Sequence, residues 1–173
     1  MRYQAQKMSV VAPGVYALYF HDELRSPIQV DCFIAYDDDG IQLLFKETGI
    51  PQPLLQMLST SAAWKQAIQS FHRVASISYA IIFGEDIPSW GPIPIHLHAI
   101  EMESDVTCKL QFMEPDGSMK AIQVEMQVED ERIRGFMMDG DTTVTNRIFA
   151  PRDMYQVTKD FLDAVQELER LAA

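Results

Sequence analysis

The stretch "VTCKLQFMEPDGSMKAIQVEMQVEDERIRGFMMDG", residues 106–140, alternates apolar and polar residues between turn signals. Strand side chains switch faces with a period of two, so this alternation marks half-buried strands. In residues 106–113 the apolar face holds Val106, Cys108, Leu110 and Phe112; in residues 120–129 it holds Ile122, Val124, Met126 and Val128. A loop over "EPDGS" then pairs Leu110 with Ile122 and Cys108 with Val124. A tight turn at Asp130-Glu131 pairs Val128 with Ile133 and Val124 with Met137. A further turn at Asp139-Gly140 pairs Met137 with Thr142 and Gly135 with Val144. Every step keeps the apolar set on one face, whereas a one-residue slip would invert a whole strand. The reading is a four-stranded antiparallel meander.

Upstream, "GVYALYF", "IQVDCFIAY", "IQLLF", "SISYAIIF" and "IPIHLHAIEM" read as further strands. Asp-Gly pairs in "YDDDGIQ", "MEPDGSM" and "MMDGDTT" supply the positive φ that tight hairpins need. A helix is expected over roughly residues 52–74, burying Leu54, Leu58, Trp64, Ala67, Ile68 and Phe71. A second is expected over roughly 151–171, where Pro151 suits a first helical position. Its Met154, Val157, Phe161, Leu162, Val165 and Leu168 recur at helical spacing. The fold class is therefore α+β: an antiparallel, curved meander with a central helix and a C-terminal amphipathic helix packed on one face. Residues 1–173 are expected to form a single domain.

The chain carries a formal net charge of −11, with 47 % hydrophobic and 23 % charged residues. Such a balance is globular, and at long range it repels a phosphate backbone, so nucleic-acid binding is not expected. The sequence lacks an apolar run of the roughly 18 residues that a spanning helix needs. Polar residues interrupt the start "MRYQAQKMSVVAPGVYALYF" where a signal peptide would be apolar. No membrane role and a cytoplasmic location are the expectations. Cys32 and Cys108 fall on the apolar faces of their strands, outside any C-x-x-C pattern, and read as core thiols.

Chemistry-bearing residues concentrate in "IPIHLHAIEMES". Alternation places Ile95 and Leu97 towards the core and His96 and His98 on the opposite face. A bulge at Ala99-Ile100 would bring Glu101 and Glu103 beside the histidines, giving a two-histidine, two-carboxylate face with ligand types suited to Zn, Fe or Mn. The run resembles the first box of the cupin superfamily, a His-x-His followed by Glu, which implies metal ligation by His96, His98 and Glu103. The sequence departs from that pattern at the spacing of Gly91, at the absent closing glycine and at the missing second box. The opposing reading is a solvated polar strand face, since the next strand offers Lys109 and Gln111; no metal and no cofactor is the expectation adopted.

Two further groups stand out. The loop "FGEDIPSWGPIPI" presents Trp90 with Glu85 and Asp86, and tryptophan is enriched at interface centres, so these three are candidate partner-binding residues. In the expected register Arg132 lies across from Glu129 and Arg147, and Arg134 across from Gln127 and Thr145. Such a row could grip a phosphate or carboxylate, or simply pair with neighbouring acids. G-x-S-x-G, P-loop, G-x-G-x-x-G and H-E-x-x-H patterns are missing.

Acidity, small size and missing catalytic motifs favour a non-enzymatic cytoplasmic module that binds another protein, one of basic character. An inhibitor, an immunity-like protein or an export chaperone would fit. A small-ligand or metal-dependent enzyme built on His96 and His98 is the alternative, and a homodimer or assembly subunit is the third reading.

Overall fold

The computed structural model describes residues 2–83, 95–130, 132–139 and 151–171. The class is α+β. In chain order the described residues form β1 (Gln4–Ala12), β2 (Val15–His21), β3 (Pro27–Asp37), β4 (Gly40–Phe45), α1 (Gln52–Thr60), α2 (Ala62–Phe83), β5 (His96–Met102), β6 (Thr107–Met113), β7 (Met119–Glu129), β8 (Arg132–Asp139) and α3 (Pro151–Leu171). A meander of strands followed by helix thus occurs twice. Two compact units result, Met1–His72 with Lys159–Ala173, and Arg73–Thr158; the boundaries fall inside α2 and α3. Among the described residues no helix is long and apolar enough to cross a membrane.

In the first unit the strands run in the order β4-β3-β2-β1, each antiparallel to the next. Met8, Leu18 and Val30 share one register level, and Tyr16 and Cys32 share another; all five are fully or almost fully buried. Helix residues complete this core. Trp64 meets Phe20 at 5.4 Å and Phe161 at 6.2 Å between ring centroids, and Phe71 meets Tyr16 edge-on at 5.5 Å. Each such side chain, fully buried, contributes on the order of 1.5–3 kcal/mol.

The six positions expected to be buried along residues 52–74 are all buried, but the segment is two helices. Ser61 separates them in an extended conformation. Its N–H donates to the Met57 carbonyl at 2.9 Å, ending α1, while its Oγ accepts the Trp64 N–H at 3.1 Å, capping α2. Its hydroxyl donates to Glu167 at 2.7 Å. β1 escapes a reading by alternation because register shifts fall after Ala5 and after Val10, and Met8 and Ser9 are buried side by side.

The second unit holds β5-β6-β7-β8, again antiparallel. The expected pairs Leu110–Ile122 and Cys108–Val124 are present, and their apolar faces are buried. Val128 pairs with Ile133 as expected, but a register shift follows and Val124 pairs with Met138, not Met137. The extra residue on β8 is Arg134, because Gln127 pairs with Gly135. The pairings expected beyond the Asp139-Gly140 turn lie outside the described residues.

"SISYAIIF" is helix and not strand: α2 continues to Phe83. Val74, Ala75 and Ser78 are buried at helical spacing, so tertiary burial overrides the β-propensity of Ile and Tyr. Helix α3 spans the expected residues 151–171, with all six anticipated positions buried. Both cysteines are free and buried, and burial pushes each thiol up to about 12.

Candidate functional site

The histidine run does not present one polar face. His96 is 1 % exposed and lies in the interior, while His98 is half-buried. A bulge falls between Leu97 and Ala99, at His98 itself, one step before the expected place, and it re-aims His98 while His96 stays in regular register opposite Met113. Ser78 Oγ sits 2.9 Å from His96 Nδ1 and accepts the Leu97 N–H at 3.2 Å. The Tyr79 ring meets the imidazole edge-on at 5.6 Å. Burial, with His98 adding to it, pulls the His96 pKa down to about 4, so the ring is neutral near pH 7. This is a helix-to-strand clamp.

Glu101 and Glu103 do share a face, but Lys109 stands between them at 3.8 and 4.0 Å. Gln111 donates to Glu101 at 3.3 Å and Gln123 to Glu103 at 2.7 Å. Among the described residues no group of three or more His, Cys, Asp or Glu side chains could hold a metal ion. Arg132 pairs with Glu129 in the backbone register as expected, whereas Arg134, expected across from Gln127, is the bulge residue. Glu85, Asp86, Trp90 and Arg147 lie outside the described residues.

Two features of the first unit were not anticipated. One is a polar relay. Tyr16 Oη lies 2.5 Å from His72 Nδ1, and Tyr36 Oη lies 2.6 Å from His72 Nε2. Tyr16 and His72 are buried, at 1 % and 6 % exposure, while Tyr36 is 69 % exposed. A neutral imidazole has one N–H and one bare nitrogen. Were Nδ1 protonated, the Tyr16 hydroxyl hydrogen would face the interior without an acceptor, costing about 1–3 kcal/mol. Tyr16 therefore donates to Nδ1, Nε2–H donates to Tyr36, and Tyr36 turns its own hydrogen to solvent. Burial holds the His72 pKa below its ordinary value and that of Tyr16 above its own.

The other feature is the free side of β4. Among the described residues β4 pairs with β3 alone. Beside it opens a groove of about 450 Å³, lined by Ile41, Gln42, Leu43 and Phe45 of β4, Leu58 of α1 and Lys65 of α2. Gln42 projects to the opposite sheet face from Ile41, Leu43 and Phe45, so a groove touching all four lies along the strand's edge. The outer face beside it is apolar too. Leu44 pairs with Phe33, Phe33 with Val15 and Val15 with Ala12, one row across four strands. Leu44 is 54 % exposed and Phe33 39 %. At the Gly40 end of β4 the hairpin carries Asp37, Asp38 and Asp39, all exposed.

No family model, curated protein or solved structure matches this chain.

Proposed function

We propose that the protein is a non-enzymatic module that binds another protein by accepting an extended segment along the free edge of β4. The observation that carries this reading is an edge of β4 without a strand partner among the described residues, together with the groove and the Phe33–Leu44 pair. A strand edge offers a row of backbone donors and acceptors that only another extended backbone satisfies in register. A segment laid there sends alternate side chains to the two faces, one set over Ile41, Leu43 and Phe45, the other beside Leu44 and Phe33. The occupant is therefore apolar on both faces over about four to six residues, the length of β4. It is also basic at the end beside Asp37, Asp38 and Asp39, since the net charge of −11 disfavours acidic segments. An inhibitor, an immunity-like protein or an export chaperone would each act by such docking, and two buried free thiols suit the cytoplasm as its setting.

Selection of a random peptide display library on the immobilised protein tests the reading. Enriched peptides should carry an apolar core with flanking Lys or Arg, and Leu44→Lys should abolish their binding. No enrichment, or enrichment unaffected by Leu44→Lys, overturns it. A β4-to-β4 homodimer, seen by sedimentation and dispersed by Leu44→Lys, would replace the partner segment with a second copy of the chain.

A further inference from the structure

We propose that the β4 edge reads its partner in one direction. The docked segment runs antiparallel to β4, with an acidic side chain at its N-terminal end beside Lys65 and a basic one at its C-terminal end beside Asp37, Asp38 and Asp39. This rests on the docking reading above and adds the order of charges that the partner must carry.

The backbone sets the pairing. Lys46 N–H donates to the Asp31 carbonyl at 2.9 Å, so residue 46 faces β3. In an antiparallel ladder such inward-facing residues alternate with outward-facing ones. Gly40, Gln42 and Leu44 therefore bond to β3, and Ile41, Leu43 and Phe45 turn their N–H and C=O groups to the free side. An antiparallel segment sets one residue directly across from each of these three, with its side chain on the same face as theirs. All three line the groove. Antiparallel pairs are slightly more stable per residue and outnumber parallel ones roughly twofold to threefold.

The two ends of the groove differ in charge. Trp64 packs on Phe20, whose partner on β3 is Ile28, whereas His72 reaches Tyr36, the partner of Ile41. Phe45 pairs with Cys32, between Ile28 and Tyr36 along β3. Helix α2 thus runs from beyond the Phe45 end of β4 towards the hairpin tip, and Lys65, next to Trp64, stands at the Phe45 end. Lys65 is exposed and, among the described residues, is the one charged side chain that lines the groove. Glu167 at that end is engaged by the Ser61 hydroxyl at 2.7 Å, and Lys46 projects to the other sheet face, across from Asp31. The tip carries Asp37, Asp38 and Asp39, with no lysine or arginine from there to Phe45. A segment with the opposite charge order would set like charges together at both ends. The order acid, apolar run, base is also that of β4 itself, from Asp39 to Lys46. Two copies at −11 each repel one another, however, so the occupant is a partner segment.

The test uses the full chain and two synthetic peptides of one composition. Both hold the same Val-Leu core; one has glutamates before it and lysines after it, and the other has these exchanged. In calorimetric titration at low ionic strength the first should bind about fivefold to tenfold tighter, and Lys65→Glu should bring the two within about twofold. A nitroxide on the N-terminal end of the first peptide should broaden the Lys65 and Phe45 amide signals and spare Gly40. Equal affinities, tighter binding of the exchanged peptide, or broadening at Gly40 would overturn the direction and leave docking in place. Binding of neither peptide, or self-association dispersed by Leu44→Lys in its stead, would remove both.

Discussion

Tyr36 and Ile41 are register partners across the β3–β4 hairpin, so the hydroxyl that reaches His72 and a side chain that lines the β4 groove belong to one cross-strand pair. A buried polar relay and an exposed edge are thereby two ends of one local structure.

The hairpin depends on Gly40. Its φ is +117°, a conformation open to glycine alone, and no atom of the described residues beyond its chain neighbours lies within 4 Å of where a Cβ would stand. The cost of Gly40→Ala is therefore backbone strain and not a clash. We expect it to destabilise the protein by at least about 1 kcal/mol, with exchange protection lost first at β4. Denaturant unfolding combined with residue-resolved exchange reads both effects.

Leu44 separates docking from folding. It is more than half exposed and its loss removes one cross-strand contact with Phe33, so Leu44→Lys should cost less than about 1 kcal/mol of stability. Binding of an edge-docked peptide should nevertheless be abolished, because the charge enters the apolar row. Thermal unfolding and peptide titration on the same variant measure the two separately.

The acidic hairpin tip contributes through solvent. Asp38→Lys should weaken a basic peptide up to about fivefold, the range of one exposed ion pair. That loss should shrink as salt is raised, since exposed charges are screened. Calorimetric titration at low and high ionic strength checks it, and a salt-independent loss would contradict a surface electrostatic origin.

His96 makes the second unit acid-labile. Its folded pKa of about 4 lies below the ordinary histidine value of 6.5, so the unfolded chain binds its proton first. The full contribution is present above pH 6.5 and is lost as pH falls towards 4, a swing of roughly 3 kcal/mol. His72, also lowered, adds in the same direction. Urea unfolding between pH 7.5 and 4.5 should show this slope, and His96→Asn should flatten most of it.

Ser78 holds that histidine. Ser78→Ala removes the acceptor of the Leu97 N–H and the partner of His96 Nδ1, both in the interior, and should cost about 1–3 kcal/mol. Ser76→Ala removes only a helix-facing hydroxyl on an exposed turn and should stay within about 0.5 kcal/mol. Equilibrium unfolding of the pair distinguishes a clamp from a general loss of serine.

Much of the architecture was legible because the relevant signals are local. Alternation set the β6–β7 register, and helical spacing named every expected buried position of α3. Bulges hid part of the rest: β1 shifts register twice, β8 carries Arg134 as an extra residue, and the shift at His98 parts that residue from the face of His96, which Ser78 and Tyr79 of α2 cover. Periodicity assumes a regular ladder and has no means of placing an inserted residue. Residues 76–83 misled for another reason, since their β-branched and aromatic side chains are helical only because Val74, Ala75 and Ser78 are buried. The relay joins positions distant in sequence, Tyr16, Tyr36 and His72, and no short motif connects them. The β4 groove could not be read either, because an edge is defined by which strand is missing beside it.

The most direct measurement is hydrogen exchange of the protein bound to a peptide recovered from display, with each amide assigned. Docking on the edge predicts added protection at alternate residues of Ile41 to Phe45, lost with Leu44→Lys, and little change at β6 and β7. Protection confined to any other surface, with β4 unaltered, would contradict the account.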